Sequence, residues 1–406
     1  MSFFAKISKG VSDLARVFCN ELRLILHDGG VLLFFIVLPL AYPIVYTLIY
    51  NTEVVRELPV AVVDNSCTPE SRDFVRRADA SPSIEIYDYC PNMSDAKKLM
   101  AEGKVYGIIK IPGDYAKSMG RGEQAHVEFY SDMSLLLRYR TFAAALTELQ
   151  LEVISEITAD RVAMAGGEAV VGDEAGLPIE SHSYFLGDSE QGFASFVIPG
   201  IVILILQQSL ILGIAMLGGT SRERRRRNGG IDPEEVRGAG AWATVWGKTL
   251  CYTLIYIPLS LYILHLVPLI FNFPHYGTPL EYIVFVLPML LATAFLGQSL
   301  NIAMKERESA FILVVFTSAI FMFLSGLTWP RYVMSALWKV AGAFIPAVWG
   351  VDGFVRINSN AASLGEVAGD YYALWILTFV YMLIACLVTR YLAVKHRSGE
   401  AKHPAQ

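Results

Sequence analysis

Six stretches of about twenty residues run without Asp, Glu, Lys or Arg: Val31–Tyr50, Phe193–Gly219, Thr249–Phe271, Tyr282–Met304, Phe311–Trp329 and Tyr371–Thr389. A helix needs about 20 apolar residues to cross a bilayer core about 30 Å thick. The pattern therefore predicts an α-helical integral membrane protein with six transmembrane helices. A further uncharged stretch, Val340–Val351, is too short to span and carries Gly342, Pro346 and Gly350. It reads as part of a re-entrant or interfacial segment, 330–356.

Charge supports this class. Only 17% of the 406 residues are charged and 54% are hydrophobic, against about a quarter charged in a soluble domain. The net charge of −5 excludes an overall basic nucleic-acid binder. Residues 51–190 hold 13 basic and 24 acidic side chains, which leaves the rest of the chain net positive. The asymmetry points to one acidic soluble domain carried by a membrane protein.

Basic residues fix the direction of the spans, because cytoplasmic loops are enriched in Lys and Arg. Lys6, Lys9, Arg16 and Arg23 precede the first span; Arg222, Arg224–Arg227 and Arg237 follow the second; Lys305 and Arg307 follow the fourth; Lys395, Arg397 and Lys402 lie in the tail. With six spans all four groups fall on one side, so both termini are expected in the cytoplasm and the 53–190 domain outside. The N-terminus does not resemble a removable signal peptide, and the first span is expected to remain as an anchor. The organisation expected is a cytoplasmic helix over 1–28, a first span over 29–52, the extracytoplasmic domain over 53–190, five spans over 191–394 with a cytoplasmic loop at 220–247, and a tail over 395–406.

Val11, Leu14, Phe18, Leu22 and Ile25 recur at helical spacing, with Asp13, Arg16, Asn20, Arg23 and His27 on a second stripe. This predicts an amphipathic helix lying on the membrane surface, with a bend at Gly29-Gly30; a straight cytosolic extension of the first span is the alternative. In the acidic domain, Leu58–Asp64, 83–88, Val105–Ile111 and 127–130 read as strands, with helices near 70–78 and 94–102. Strands alternating with helices predict an α/β domain inserted between the first and second spans. A long helix from 134 to about 165 returns the chain toward the membrane. Cys67 and Cys90 each follow a strand end, and a disulfide between them is an expectation; Cys19, Cys251 and Cys386 read as small apolar filler.

The chain lacks the usual catalytic motifs. Gly247-Lys248-Thr249 has Trp242 where a phosphate loop needs glycine, and it opens a span. No acidic residue sits mid-span, which lowers the reading as an ion-coupled carrier. The intramembrane polar groups Gln207, Gln208, Gln298, Asn301 and Ser325 are candidates for a pathway, with helix-to-helix hydrogen bonding the alternative. His265 is the one intramembrane histidine among seven; interhelical hydrogen bonding is its simplest role, with a proton relay or ligand contact the alternative.

Three stretches carry a family resemblance. Pro59–Ser66 followed by Gly103–Pro112, Phe196–Gly200 with Gln207-Gln208, and Leu324-Ser-Gly-Leu-Thr-Trp-Pro330 with Phe344–Pro346 and Gly350–Gly353 together resemble the membrane permease subunits of bacterial ABC-type exporters, in the drug-resistance branch of the type-two superfamily. Arg222-Glu223 and Gly247-Lys248 match the family pattern around the loop after the second span, whereas Arg224–Arg227 and 228–233 depart from it, so the contact with the ATPase is expected to differ in detail.

The resemblance implies a bacterial inner-membrane location and no cofactor in this chain, with Mg-ATP bound by a separate nucleotide-binding ATPase subunit. It also implies pairing with a second permease chain, in a homo- or heterodimer; a periplasmic adaptor and membrane lipid are further compatible partners. Arg16, Arg23, Arg222, Glu223, Arg224, Arg225 and Lys248 are the residues expected to couple to the ATPase, with topology-setting and lipid contact as the alternative for the Arg run. Pro330, Pro346 and Gly350 are expected at an extracytoplasmic gate built from broken half-helices. The expected activity is export of an amphipathic molecule, a drug or lipid, by a chain that is not itself an enzyme. A mechanical ABC-type machine acting on periplasmic partners and a membrane-anchored sensor remain as rivals.

Overall fold

A computed structural model describes residues 3–50, 55–121, 123–134, 136–164, 193–236 and 238–400. The chain divides into two compact units, one formed by Met1–Glu53 with Phe185–Gln406 and the other by Val54–Tyr184.

Helix α1 spans Phe3–His27. It stops because Asp28 takes an extended backbone and its carboxylate accepts from the N–H groups of Gly30 and Val31, both at 3.1 Å. This cap starts α2, Gly29–Ile49. Within α2 the backbone widens into a π turn over Leu33–Val37. Pro39 withdraws a donor from the helical ladder just beyond it, and the wider turn accommodates that loss.

In the second unit the chain runs β1 (Leu58–Asp64), α3 (Pro69–Ala80), β2 (Ile84–Tyr89), α4 (Met93–Ala101), β3 (Gly107–Ile111), α5 (Tyr115–Arg121), β4 (Glu128–Ser131) and α6 (Leu136–Met164). The sheet order is β2-β1-β3-β4. β1 pairs in parallel with both neighbours and β4 runs antiparallel to β3. A central parallel strand is covered on both faces, which is why Val60, Ala61, Val62 and Val63 form an unbroken apolar run. Val60, Val62 and Ile109 pack with Phe74 and Val75 of α3 and with Phe142 and Leu146 of α6. Ala61, Val63 and Ile108 pack with Ala96 of α4 on the opposite face. At Gly107 an added Cβ would lie 2.8 Å from the Phe142 ring, so the glycine lets α6 close on β3. α5 has no counterpart in the sequence expectations, because its seven residues are too few to display a period.

The first unit resumes with α7 (Phe193–Arg227), α8 (Ala241–Ile270), α9 (Pro279–Leu300), α10 (Ser309–Leu324), α11 (Ala336–Ala343), α12 (Pro346–Asn360) and α13 (Ala368–Glu400). α8 carries its own π turn at Tyr262–Leu266, again just before a proline, Pro268. The Tyr262 hydroxyl donates to the Leu40 carbonyl of α2 at 3.3 Å. α7 is the core of this unit, with 83% of its most apolar window buried, against 22% for α2 and 28% for α13.

Five helices among the described residues are long and apolar enough to cross a membrane: α2, α7, α8, α9 and the Ala368–Val394 part of α13. The expected fifth span is shorter than its charge-free run, since α10 has 16 residues and measures about 24 Å. It ends at Ser325, ahead of Gly326 in the left-handed region at φ 93°, a common way to stop a helix. The 330–356 stretch forms two helices, α11 and α12, bent by 93°. The fold thus fits an α-helical membrane protein with five candidate spans among the described residues, or six if the bent pair counts as one.

Candidate coupling face and polar interior

The Arg run at the end of α7 is already engaged within its own unit. Arg222 donates to the carbonyls of Asn301 at 2.5 Å and Ile302 at 3.3 Å. The Glu223 carboxylate accepts from the backbone N–H of Arg307 at 2.8 Å. The Arg307 guanidinium makes a two-pronged pair with Asp28, at 2.6 and 2.9 Å. Arg224 grips the buried Asp232 at 3.0 and 3.2 Å, Arg225 pairs with Glu235, and Arg226 reaches Glu306 at 3.0 Å. Three segments distant in sequence, namely the α1–α2 junction, the loop after α7 and the 301–308 loop, are thereby locked together.

Two carboxyls in this network sit outside the spans and titrate abnormally. Burial pushes Asp232 up, but hydrogen bonds from Arg224, Ser221 and the Glu234 N–H outweigh it and hold the carboxyl below its ordinary 3.8. Asp28 is likewise pushed up by burial and pulled further down, by Arg307 and the Val31 and Gly30 N–H groups.

α1 lies against α8 by a face that the stripe pattern identifies only in part, since Ile25 of the stripe is buried and Phe18 and Leu22 pack against the same core. Its buried positions are Asp13, Val17, Glu21 and Ile25, whereas Val11 is exposed. This corrects the placement of Asp13 on a solvated stripe. Glu21, only 1% exposed, receives Lys248 at 3.0 Å and a hydrogen bond from the Tyr252 hydroxyl. Close approach is possible because α8 presents Gly247, where a Cβ would lie 2.9 Å from the Leu14 carbonyl oxygen. Asn20 reaches across to the Glu234 carbonyl at 2.7 Å. Of the residues expected to couple to a partner, Arg16 and Arg23 are exposed on α1, Arg16 beside Asp13. Arg222, Glu223, Arg224, Arg225 and Lys248 are tied inward, and Arg226 and Arg227 are exposed. Arg237 and Lys402 lie outside the described residues.

The polar interior does not form one continuous array. Gln207 is fully buried and its carbonyl oxygen accepts from the Ala347 N–H at the start of α12, at 2.6 Å. Its amide nitrogen and both side-chain polar atoms of Gln208 have no hydrogen-bond partner among the described residues. Gln298 instead binds Thr249 of α8 at 2.7 Å, Ser325 back-bonds to Met322 at 2.7 Å, and Asn301 caps α9. Helix-to-helix or local bonding therefore accounts for Gln298 and Ser325, and the Gln207-Gln208 pair and the Asn301 side-chain oxygen keep unmet capacity among the described residues. Pro346 occupies the first turn of α12, where its missing N–H is harmless. Gly350 lies against Met289 and Ile203, and Pro330 precedes a short 3-10 turn at Arg331–Val333. Arg331 stacks over Trp349 at 4.6 Å, fastening that turn to α12.

In the α/β unit, Cys67 and Cys90 are both free. The expected bridge is not formed: Cys67 is exposed with its thiol directed at the Asp64 carbonyl at 3.3 Å, whereas Cys90 is buried with Ala96 and Val105 under α4. Burial and the nearby Asp88 and Asp95 push the Cys90 thiol up. No group of three or more His, Cys, Asp or Glu suited to a metal ion occurs among the described residues.

Apolar helices clamped at one end by ion pairs, with a separate α/β unit, define a multi-pass membrane protein whose charged face is internally braced. The chain belongs to the ABC-2 family of transporter proteins, whose sequence profile matches residues 30–387. No curated protein matches it. Membership makes it the transmembrane component of an ABC transporter and implies association with an ATPase subunit.

Proposed function

We propose that this chain is the permease subunit of an ATP-driven exporter of the drug-resistance branch, moving an amphipathic molecule such as a drug or lipid out of the cytoplasm or inner membrane. It lies in a bacterial inner membrane with both termini in the cytoplasm and the α/β unit outside, and it pairs with a second permease chain. Mg-ATP is bound and hydrolysed on the ATPase subunit, not here.

The observation that carries this reading is the bracing of α1, the α7 loop and the 301–308 loop by Asp28–Arg307, Glu223–Arg307, Arg222–Asn301 and Glu21–Lys248. Motion imposed by a partner is transmitted through a surface that does not yield, and these contacts make three chain segments move as one. The exposed Arg16, Arg23, Arg226 and Arg227 are then the side chains left to meet the ATPase, and the inward-tied residues support them. Gln207, on α7 against the start of α12, its neighbour Gln208, and Asn301 are the pathway residues retained, as the candidates with unmet hydrogen-bonding atoms. Purification from native membranes in mild detergent tests the proposal. A co-purifying nucleotide-binding subunit with vanadate-sensitive Mg-ATPase activity is expected; a stable complex without one contradicts it.

A further inference from the structure

Helix α6 of the α/β unit is apolar on two sides. One side, with Phe142, Leu146 and Leu149, packs on the sheet. The other is uncovered: Leu137 is 39% exposed and Leu151 49%, and Ala144 midway between them is exposed as well. A spacing of seven residues keeps all three on one line along the helix, the repeat by which two helices form a shared seam. The hydroxyls of Thr141 and Thr147, on the flanks of this line, donate to their own helix at the Leu137 and Ala143 carbonyls, at 3.0 and 2.8 Å. They therefore bring no unmet donor to a contact.

The charges around the seam say what covers it. Arg140 and Glu148 are both exposed, and neither makes an ion pair or side-chain hydrogen bond among the described residues. They stand four residues either side of Ala144, as Thr141 and Thr147 stand three, and Leu137 and Leu151 seven. The face is thus matched to itself when a second copy is laid across it antiparallel, with a two-fold axis at Ala144. Leucine then meets leucine at both ends, threonine meets threonine, and each arginine stands level with a glutamate at two equivalent places. The alanines at the centre let the helices approach closely. Parallel pairing would instead set arginine against arginine and glutamate against glutamate, which repel.

We infer that the α6 faces of two copies of this chain pair antiparallel about Ala144. The inference rests on the pairing with a second permease chain proposed above, and it names that partner as a second copy. Confinement of both copies to one membrane raises their effective concentration, so a single helix pair suffices. The test uses the full chain in native membranes under a mild oxidant, in a Cys67→Ser background that removes the exposed thiol of this unit. Ala144→Cys is expected to give a disulfide-linked dimer. Leu137→Cys alone is expected to give none, because its two copies lie about 21 Å apart along the pair, beyond the roughly 7 Å that a disulfide allows. Coexpressed with a differently tagged Leu151→Cys copy, it is expected to give the mixed dimer. Arg140→Glu in the Ala144→Cys chain is expected to slow crosslinking about tenfold, the effect of two exposed pairs lost together, and adding Glu148→Arg is expected to restore it. Tagged copies that co-purify while Ala144→Cys stays monomeric overturn the α6 surface and leave the pairing standing; copies that do not co-purify overturn both. Leu137→Cys crosslinking to itself, or crosslinking unchanged by Arg140→Glu, overturns the antiparallel register.

Discussion

Single residues decide how the braced face holds together. Glu21 is a buried carboxylate satisfied by Lys248 and Tyr252. Removing one partner of a buried pair costs about 3–5 kcal/mol, but an exposed pair is worth about 1 kcal/mol or less. Lys248 is 32% exposed, so Glu21→Ala is expected to cost an intermediate amount, about 2 kcal/mol. A thermal-stability double-mutant cycle with Lys248→Ala should show strong non-additivity, and additive losses would contradict the pairing. Asp28 gives a pH signature. Its folded carboxyl lies below the ordinary 3.8, so the stability it contributes is complete above that value and is lost as pH falls through the lower folded value. The stability gap between the native chain and Asp28→Asn should stay flat from neutral pH down to about 5 and narrow only below about 4; a gap that closes nearer neutrality would refute the ion pair. Neither Glu21 nor Asp28 was legible as functional from sequence. A hydrophobic stripe says which side of a helix is apolar, but a carboxylate on the buried side is explained only by a lysine and a tyrosine brought from a helix far along the chain.

At the scale of elements, charge-free runs translated directly into α2, α7, α8, α9 and α13, because a long apolar helix has few alternatives in lipid. The strands of the α/β unit were legible from apolar runs bounded by turn residues. The π turns and the early end of α10 were not. They depend on where prolines remove donors and where Gly326 adopts its left-handed conformation, and hydropathy is blind to both. Close approach between elements makes a sharper prediction. α7 passes the 301–308 loop so closely at Gly219 that an added Cβ would lie 2.6 Å from the Glu306 carbonyl oxygen and 2.7 Å from the Arg307 Cα. Both are backbone atoms and cannot rotate away. Gly219→Ala is therefore expected to displace the loop and cost about 1–3 kcal/mol, read as a lower melting temperature of the purified protein. Wild-type stability in that variant would mean the loop is not held there.

For the whole molecule, the distribution of Lys and Arg predicts which side each unit occupies, and two native thiols report on it. Cys67 in the α/β unit and Cys19 on α1 are both exposed, whereas Cys90 and Cys251 are buried. In intact cells made permeable only at the outer membrane, a membrane-impermeant maleimide is expected to label Cys67 and to leave Cys19 unlabelled until the inner membrane is opened. The reverse pattern would invert the topology. The central claim is that hydrolysis on a partner subunit moves an amphipathic molecule across the membrane through this chain. Inside-out vesicles carrying the native complex test it most directly, loaded externally with a fluorescent amphipathic dye. The account predicts vanadate-sensitive, ATP-dependent accumulation of dye in the vesicle lumen that is lost when Gln207 and Gln208 are both changed to leucine. ATP turnover by an intact complex with no movement of dye or lipid would contradict it and favour a machine that works on periplasmic partners without transmembrane flux.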